Sequence, residues 1–308
     1  MKTKFMSVSM SLFIAGLTLC ACTEGLGGID NPVTPPTTPD EPATPDEPAT
    51  PEEPKTEIKG ILSEINITDE GGMKEILALS YDADGKLTGT AFGKEFPDGN
   101  KEEGTKCTFT YDTDKITVKR TSGDDVDTRV YELKDGVVSK YVKGDDYDEF
   151  TYKDGKLVKF TNWEKDDDVL GTDDIFEFTW NDKALASFEK YELNDEDEKE
   201  DVSKYTVTYG TTKAGALAGL FFFGGGAFDL VLYLEDICET APAFDKLGTL
   251  PEFLPEKLVR TWSDEGTEQT RTYTAKYTLD KNNLVTKVVI KEEEGGDSNE
   301  TTYNLVWK

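Results

Sequence analysis

Along most of this chain apolar and polar residues alternate one by one, and short Asp- and Gly-rich stretches break the alternation at regular intervals. The first such unit reads Leu79-Ser80-Tyr81-Asp82-Ala83-Asp84-Gly85-Lys86-Leu87, and the pattern returns at Phe109–Ile116, Tyr131–Val138 and Phe150–Leu157. Phe178-Thr-Trp180, Val207-Thr-Tyr209 and Ala275-Lys-Tyr277 continue it. A period of two puts Phe150 and Tyr152 on one face and Thr151 and Lys153 on the other, as in a half-buried antiparallel strand. Asp154-Gly155 suits a two-residue turn in which both residues take positive φ, and that turn sets Tyr152 opposite Leu157. The first unit is one residue longer, which fits a turn closed by a glycine bulge at Gly85. The fold class predicted is all-β, an antiparallel up-and-down meander of hairpins.

Two departures shape the picture. Between hairpins lie acidic clusters, at 124–127, 145–149, 166–168 and 195–201. In a meander the turns alternate between the two ends of the sheet. The tight Asp-Gly turns therefore line one end, and longer acidic, solvated loops are expected at the other. The second departure is a helical insertion around 212–256, uncharged from Ala214 to Phe228 and containing Phe221-Phe-Phe-Gly-Gly-Gly226. It is too short and glycine-rich for a membrane span. Leu230, Leu234 and Ile237 at helical spacing predict a short helix over 228–237 that plugs or caps one open side of the sheet. Gly224 to Gly226 supply the entry, and Pro251 and Pro255 mark the exit.

The N-terminus breaks the alternation altogether. Lys2 and Lys4 precede an uncharged run ending in Leu19-Cys20-Ala21-Cys22, the layout of a secretory leader with a small residue before the cut. Leu19, Ala21 and Cys22 resemble a bacterial lipoprotein signal, which makes residues 1–21 a signal peptide and Cys22 the lipidated mature terminus; bulky Leu19 makes Cys20 the weaker acceptor. Residues 22–56 follow as a lipid-anchored stalk in which nine of the thirteen prolines alternate with Thr, Asp and Glu. Proline fixes φ and removes a donor while the acids repel one another, so this tract is expected to stay extended. Residues 57–308 form the β-rich domain.

Charge and composition then exclude chemistry. The chain holds 34 basic and 63 acidic residues, and losing Lys2 and Lys4 with the leader takes the formal net charge from −29 to −31. Nucleic acid and anionic surfaces need cationic patches and are not expected as partners. With no histidine, Ser-His-Asp and Cys-His triads and imidazole zinc sites are excluded. Asp82-Ala-Asp84-Gly85 resembles the start of a calcium loop, but Lys86 and Leu87 stand where an acid and a glycine are required, so calcium has no motif to support it and no metal or cofactor is expected. Cys107 and Cys238 are the two cysteines of the domain, and they allow either a disulfide or two buried thiols. Trp180 and Trp307 fall on alternating strand positions suited to burial. Trp163 and Trp262 lie nearer loops and are the candidates for ligand contact.

Tyr303-Asn-Leu305-Val-Trp307 is similar to the closing strand of an outer-membrane barrel, but Lys115-Ile-Thr-Val-Lys119 puts charges where a membrane barrel needs an apolar band. The leader, the acidic proline stalk, the tyrosine-centred hairpins, the apolar insertion, Phe244-Asp-Lys-Leu-Gly248 and Leu254-Pro-Glu-Lys-Leu258 together resemble one family. It is the uncharacterised lipoproteins of Gram-negative gut anaerobes known as domain of unknown function 4595, described as porin-like. Over roughly Ile61 to Trp307 this resemblance implies a curved sheet or barrel-like domain and supplies no activity. The expectation is a lipoprotein of the outer membrane, facing the cell surface or the periplasm. It would be tied to the membrane through its anchor, carry no enzymatic activity, and bind a glycan or protein ligand. The rival expectation is a carboxylate-dependent glycan-processing enzyme, which needs a cleft holding two carboxyl groups in unlike environments.

Overall fold

The computed structural model describes residues 60–166, 169–182, 184–194, 196–223 and 230–308. The leader, Cys22 and the stalk lie outside the described residues, as do Gly224 to Gly226, Phe228, Asp167, Asp168 and Asp195. Eight strands form the first half of the domain: β1 (Leu62–Thr68), β2 (Lys74–Tyr81), β3 (Leu87–Glu95), β4 (Lys101–Tyr111), β5 (Lys115–Ser122), β6 (Asp125–Lys134), β7 (Val137–Lys143) and β8 (Asp146–Lys153). Four more precede the insertion: β9 (Lys156–Asp166), β10 (Val169–Asn181), β11 (Ala184–Leu193) and β12 (Lys199–Lys213). Within the insertion are two short helices, α1 (Ala218–Phe223) and α2 (Leu234–Thr240), and β13 (Phe253–Asp264), β14 (Thr267–Leu279), β15 (Val285–Glu294) and β16 (Asp297–Trp307) follow.

Each strand pairs antiparallel with its sequence neighbours, and β1 pairs with β16, so the meander closes into a barrel of sixteen strands. Ile65 faces Leu305 and Ile67 faces Tyr303 across the closing seam. The hairpin chemistry takes the predicted form: Asp154 and Gly155 have φ of 52° and 75°, and Tyr152 pairs with Leu157. The longer first unit carries its bulge, with Gly85 at φ 80° and a register shift that sets Tyr81 against Leu87. Asp82 Oδ1 accepts the backbone N–H groups of Asp84 at 3.0 Å and Lys86 at 2.9 Å, so the turn itself consumes this carboxylate.

One expectation about the acidic clusters is corrected. Those at 124–127 and 145–149 do lie at the end opposite the Asp-Gly turns, but they are not long loops. Gly123 and Gly144 take positive φ and close tight turns, so the ladders run on through Asp125, paired with Ser122, and Asp146, paired with Lys143. The acids therefore project from the ends of the barrel wall. The chain enters the barrel at the other end, where Ile61 and Lys308 exchange backbone hydrogen bonds of 3.2 and 2.9 Å.

Sixteen strands enclose a lumen wider than wall side chains alone can fill. Here the insertion fills it. Leu217, Leu220, Phe223, Leu232, Ile237 and Cys238 join Ile65, Leu77, Ile116, Leu157 and Val288 of the wall in one buried apolar core. Phe223 packs edge-on to Phe150 and Phe160 with ring centroids 5.6 and 5.9 Å apart, and Phe221 packs edge-on to Tyr277 at 5.7 Å. The Phe run read as an apolar stretch is thus helical. The second helix begins later than predicted, at Leu234, because Tyr233 before it is extended at φ −84°, ψ 101°. Pro251 precedes the returning strand, whereas Pro255 sits inside β13 beside a register shift, where a missing N–H is tolerated.

The outward face is polar. Lys115, Thr117 and Lys119 on β5, and Thr272, Thr274 and Lys276 on β14, alternate with the inward Ile116, Val118, Tyr273 and Ala275. This apolar-in, polar-out order is the reverse of a membrane-spanning barrel.

The plug sits tightly against its own connections. A Cβ at Gly219 would lie 2.5 Å from both Cβ and the carbonyl oxygen of Phe244. Gly219→Ala, ordinarily favourable inside a helix, is therefore expected to cost about 1–3 kcal/mol through overpacking. Urea unfolding checks it, and an unchanged or raised midpoint would contradict the packing described.

Candidate functional site

A polar cup opens at the acidic end of the barrel, and its origin lies in the period-two register. Moving toward that end, the next inward position after each apolar belt residue turns polar. Asp148 comes two before Phe150, Asn162 two after Phe160, Asp174 two before Phe176 and Lys190 two after Phe188. Arg129 likewise precedes Tyr131 by two, Arg120 follows Val118, Arg260 follows Leu258 and Arg271 precedes Tyr273. The top of the plug, with Phe223, Asp236, Glu239 and Thr240, forms the floor of a cavity of about 330 Å³. Of its thirteen lining residues six are acidic and one, Lys143, is basic, a balance that repels anions and favours ligands rich in hydrogen-bond donors.

These charges are arranged in pairs. Arg129 Nη1 donates to Glu239 Oε2, and Arg120 Nε stands 3.6 Å from the same oxygen, so a plug carboxylate is clamped by two wall guanidinium groups. Tyr131 Oη donates to the Glu239 carbonyl at 3.4 Å. Asp148 is 4% exposed, accepts from Asn162 Nδ2 at 2.7 Å and pairs with Lys143 Nζ at 3.3 Å. Lys190 pairs with Asp174 at 2.7 Å. Burial pushes the carboxyls of Asp148, Glu239 and Asp236 above the usual range, outweighing Lys143 beside the first and Arg129 and Arg120 beside the second. Asn162 Oδ1 is buried with no hydrogen-bond partner, and it lines the cavity.

A carboxyl with a raised folded pKa contributes stability that is present at pH below its unfolded pKa and lost as pH rises through the folded one. Asp148→Asn is therefore expected to gain in melting temperature relative to the natural protein as pH rises from about 4 to 7. Thermal melts across that range check it; a gap that does not change with pH would contradict it.

The two tryptophans proposed for ligand contact are not brought together. Trp163 is on the outer wall, stacked on Tyr147 at 5.7 Å with its Nε1 donating to Glu149 at 3.2 Å. Trp262 faces the lumen, with the guanidinium carbons of Arg260 and Arg271 at 4.6 and 5.8 Å from its ring. Trp180 and Trp307 are packed against the core and donate to the carbonyls of Leu157 and Val285, each at 2.7 Å. Cys107 and Cys238 do meet, as buried free thiols. Among the described residues no group of three Cys, Asp or Glu side chains converges to hold a metal ion. Sequence reasoning missed Asp148, Asn162 and Glu239. Asp148 had a signal, since it shares a face with Phe150 inside an acidic cluster treated as a loop.

A second cavity, of about 690 Å³, opens at the end where the chain enters and is lined mainly by apolar and aromatic residues, among them Tyr81, Leu87, Tyr111, Phe244 and Leu250. Burial pushes the Tyr81 hydroxyl up to about 12. Described residues of the plug line both cavities, Gly219 and Leu220 the second and Phe223 the first.

No family model matches the chain, and no curated protein does. Among solved structures, a porin-like protein from Bacteroides uniformis is 19% identical, with a TM-score of 0.57 over 80% of this chain and 96% of that one. A porin-like protein from Bacteroides vulgatus is 12% identical, with a TM-score of 0.52 over 81% of this chain and 99% of that one. At such identities the likeness is one of fold, and the chain shares with both the porin-like closed antiparallel barrel.

Proposed function

We propose that this protein is a lipid-anchored envelope lipoprotein whose barrel binds a neutral glycan in the acidic-end cup. The observation that carries the reading is the cup itself. It offers carboxylates to hydroxyl donors, with Asn162 beside them, above the aromatic rings of Phe160, Phe176 and Phe223. Placement at the outer membrane, on the cell surface or periplasmic side, rests on the leader and on Cys22. Membership of family 4595 rests on the hairpin and insertion motifs, with the shared porin-like fold in support.

Mass spectrometry of the cell-derived protein tests the anchor, with acyl groups expected on Cys22. A glycan panel followed by titration calorimetry tests the cup. Asn162→Leu is expected to weaken binding at least about tenfold, equivalent to 1.4 kcal/mol. Blank panels, or binding that Asn162→Leu leaves intact, would overturn the assignment; capture of a protein that competes with no glycan would point to a protein ligand instead. A second reading, glycan hydrolysis, is favoured by the raised carboxyls of Asp148, Asp236 and Glu239 inside one cavity. Release of reducing ends from a bound glycan, abolished by Asp148→Asn, would select it over simple binding.

A further inference from the structure

Cys107 and Cys238 lie 131 positions apart in sequence, on two elements with different roles. Cys107 faces inward from β4 of the wall, and Cys238 sits on α2 of the plug. They are 2% and 0% exposed, with their Sγ atoms 3.9 Å apart. Contacts independent of the sulfurs hold them there. The Thr90 hydroxyl donates to the Cys238 carbonyl, and Thr105 Oγ1 donates to Glu235 Oε1 at 2.9 Å, one turn before Cys238. The Arg clamp on Glu239 fixes the next residue. Closing the sulfurs to a disulfide length of about 2.05 Å asks for less than 2 Å of movement, within reach of side-chain rotation.

We propose that Cys107 and Cys238 form a disulfide that locks the plug to the barrel wall. One cysteine thiolate attacks a disulfide oxidant, either a thiol–disulfide oxidoreductase or oxidised glutathione, giving a mixed disulfide and releasing one thiol. The other cysteine, as thiolate, attacks the protein sulfur of that mixed disulfide and releases the second thiol. The two cysteines lose two protons and two electrons, the oxidant is reduced to two thiols, and the Sγ–Sγ bond forms. With the plug seated, neither sulfur is reachable, so the bond forms as the plug docks and is then shielded from reductant. An extracytoplasmic setting, part of the function proposed above, supplies the oxidant.

The test uses the purified full chain, unfolded with reductant and refolded either in a glutathione redox buffer or in reductant alone. Peptide mapping after thiol alkylation then reads the state of each cysteine. The expected result is a linked Cys107–Cys238 peptide from the redox buffer only, with a melting temperature roughly 10 °C above the reduced form. Cys107→Ala and Cys238→Ala should fold in reductant and show no such gap. Both thiols alkylated after oxidative refolding, or linked and reduced forms melting together, would overturn the lock. Because the oxidant is added, failure here is separate from failure of the lipoprotein reading, which the acyl group on Cys22 decides.

Discussion

Glu239→Ala is expected to lower the unfolding free energy by about 3–5 kcal/mol, because it strips the shared partner from two largely buried guanidinium groups. The Arg120 and Arg129 side chains are 21% and 19% exposed, and among the described residues the carboxylate they share besides Glu239 is Asp127, itself 43% exposed. The same change cuts the ionic tie between α2 and the wall. Glu239→Gln separates the two contributions. Burial outweighs the arginines in setting the Glu239 pKa, so loss of charge with the hydrogen-bonding shape retained should cost clearly less than truncation. A loss for Glu239→Ala below about 1 kcal/mol in chemical denaturation would show that the clamp is not what holds the plug.

Phe223→Ala should cost a comparable amount, about 3–5 kcal/mol, through a different mechanism. Its ring is 2% exposed and packed edge-on against Phe150 and Phe160, so truncation leaves a cavity against both rings. Phe223 also lines the cup, so truncation deepens the cavity toward the core. Since both substitutions loosen one plug, the double variant Glu239→Ala/Phe223→Ala should lose less than the sum of the singles. Full additivity, read from denaturation midpoints, would mean that the plug's two ends are held independently.

Local chemistry made the hairpins legible in the sequence. Asp154-Gly155 has one comfortable geometry, and it sets the register of Tyr152 on Leu157 without reference to the rest of the chain. Closure was legible only as a likeness, in the last strand Tyr303 to Trp307 and in the family resemblance, because the β1 to β16 pairing joins the two ends of the domain. The helix start was misplaced for a related reason. Leu230-Val-Leu-Tyr-Leu satisfies helical spacing and strand alternation alike, and the structure resolves it with an extended Tyr233 and a helix opening on Glu235 and Asp236, acids that suit a helix N-terminus. The cup was hidden by counting acids as loops. Once Gly123 and Gly144 are seen to close tight turns, Asp148 becomes a strand residue on the inward face. Glu239 could not be anticipated, since its partners Arg120 and Arg129 lie more than a hundred positions away.

The barrel hides its apolar side inside, around a plug, and shows water a wall of Lys and Thr. The most direct measurement is the behaviour of residues 57–308 without detergent, followed by addition to planar lipid bilayers. A monodisperse, β-rich protein in plain buffer that opens no conductance is the predicted result. A protein that needs detergent to stay dispersed, or that inserts and passes ions, would contradict it.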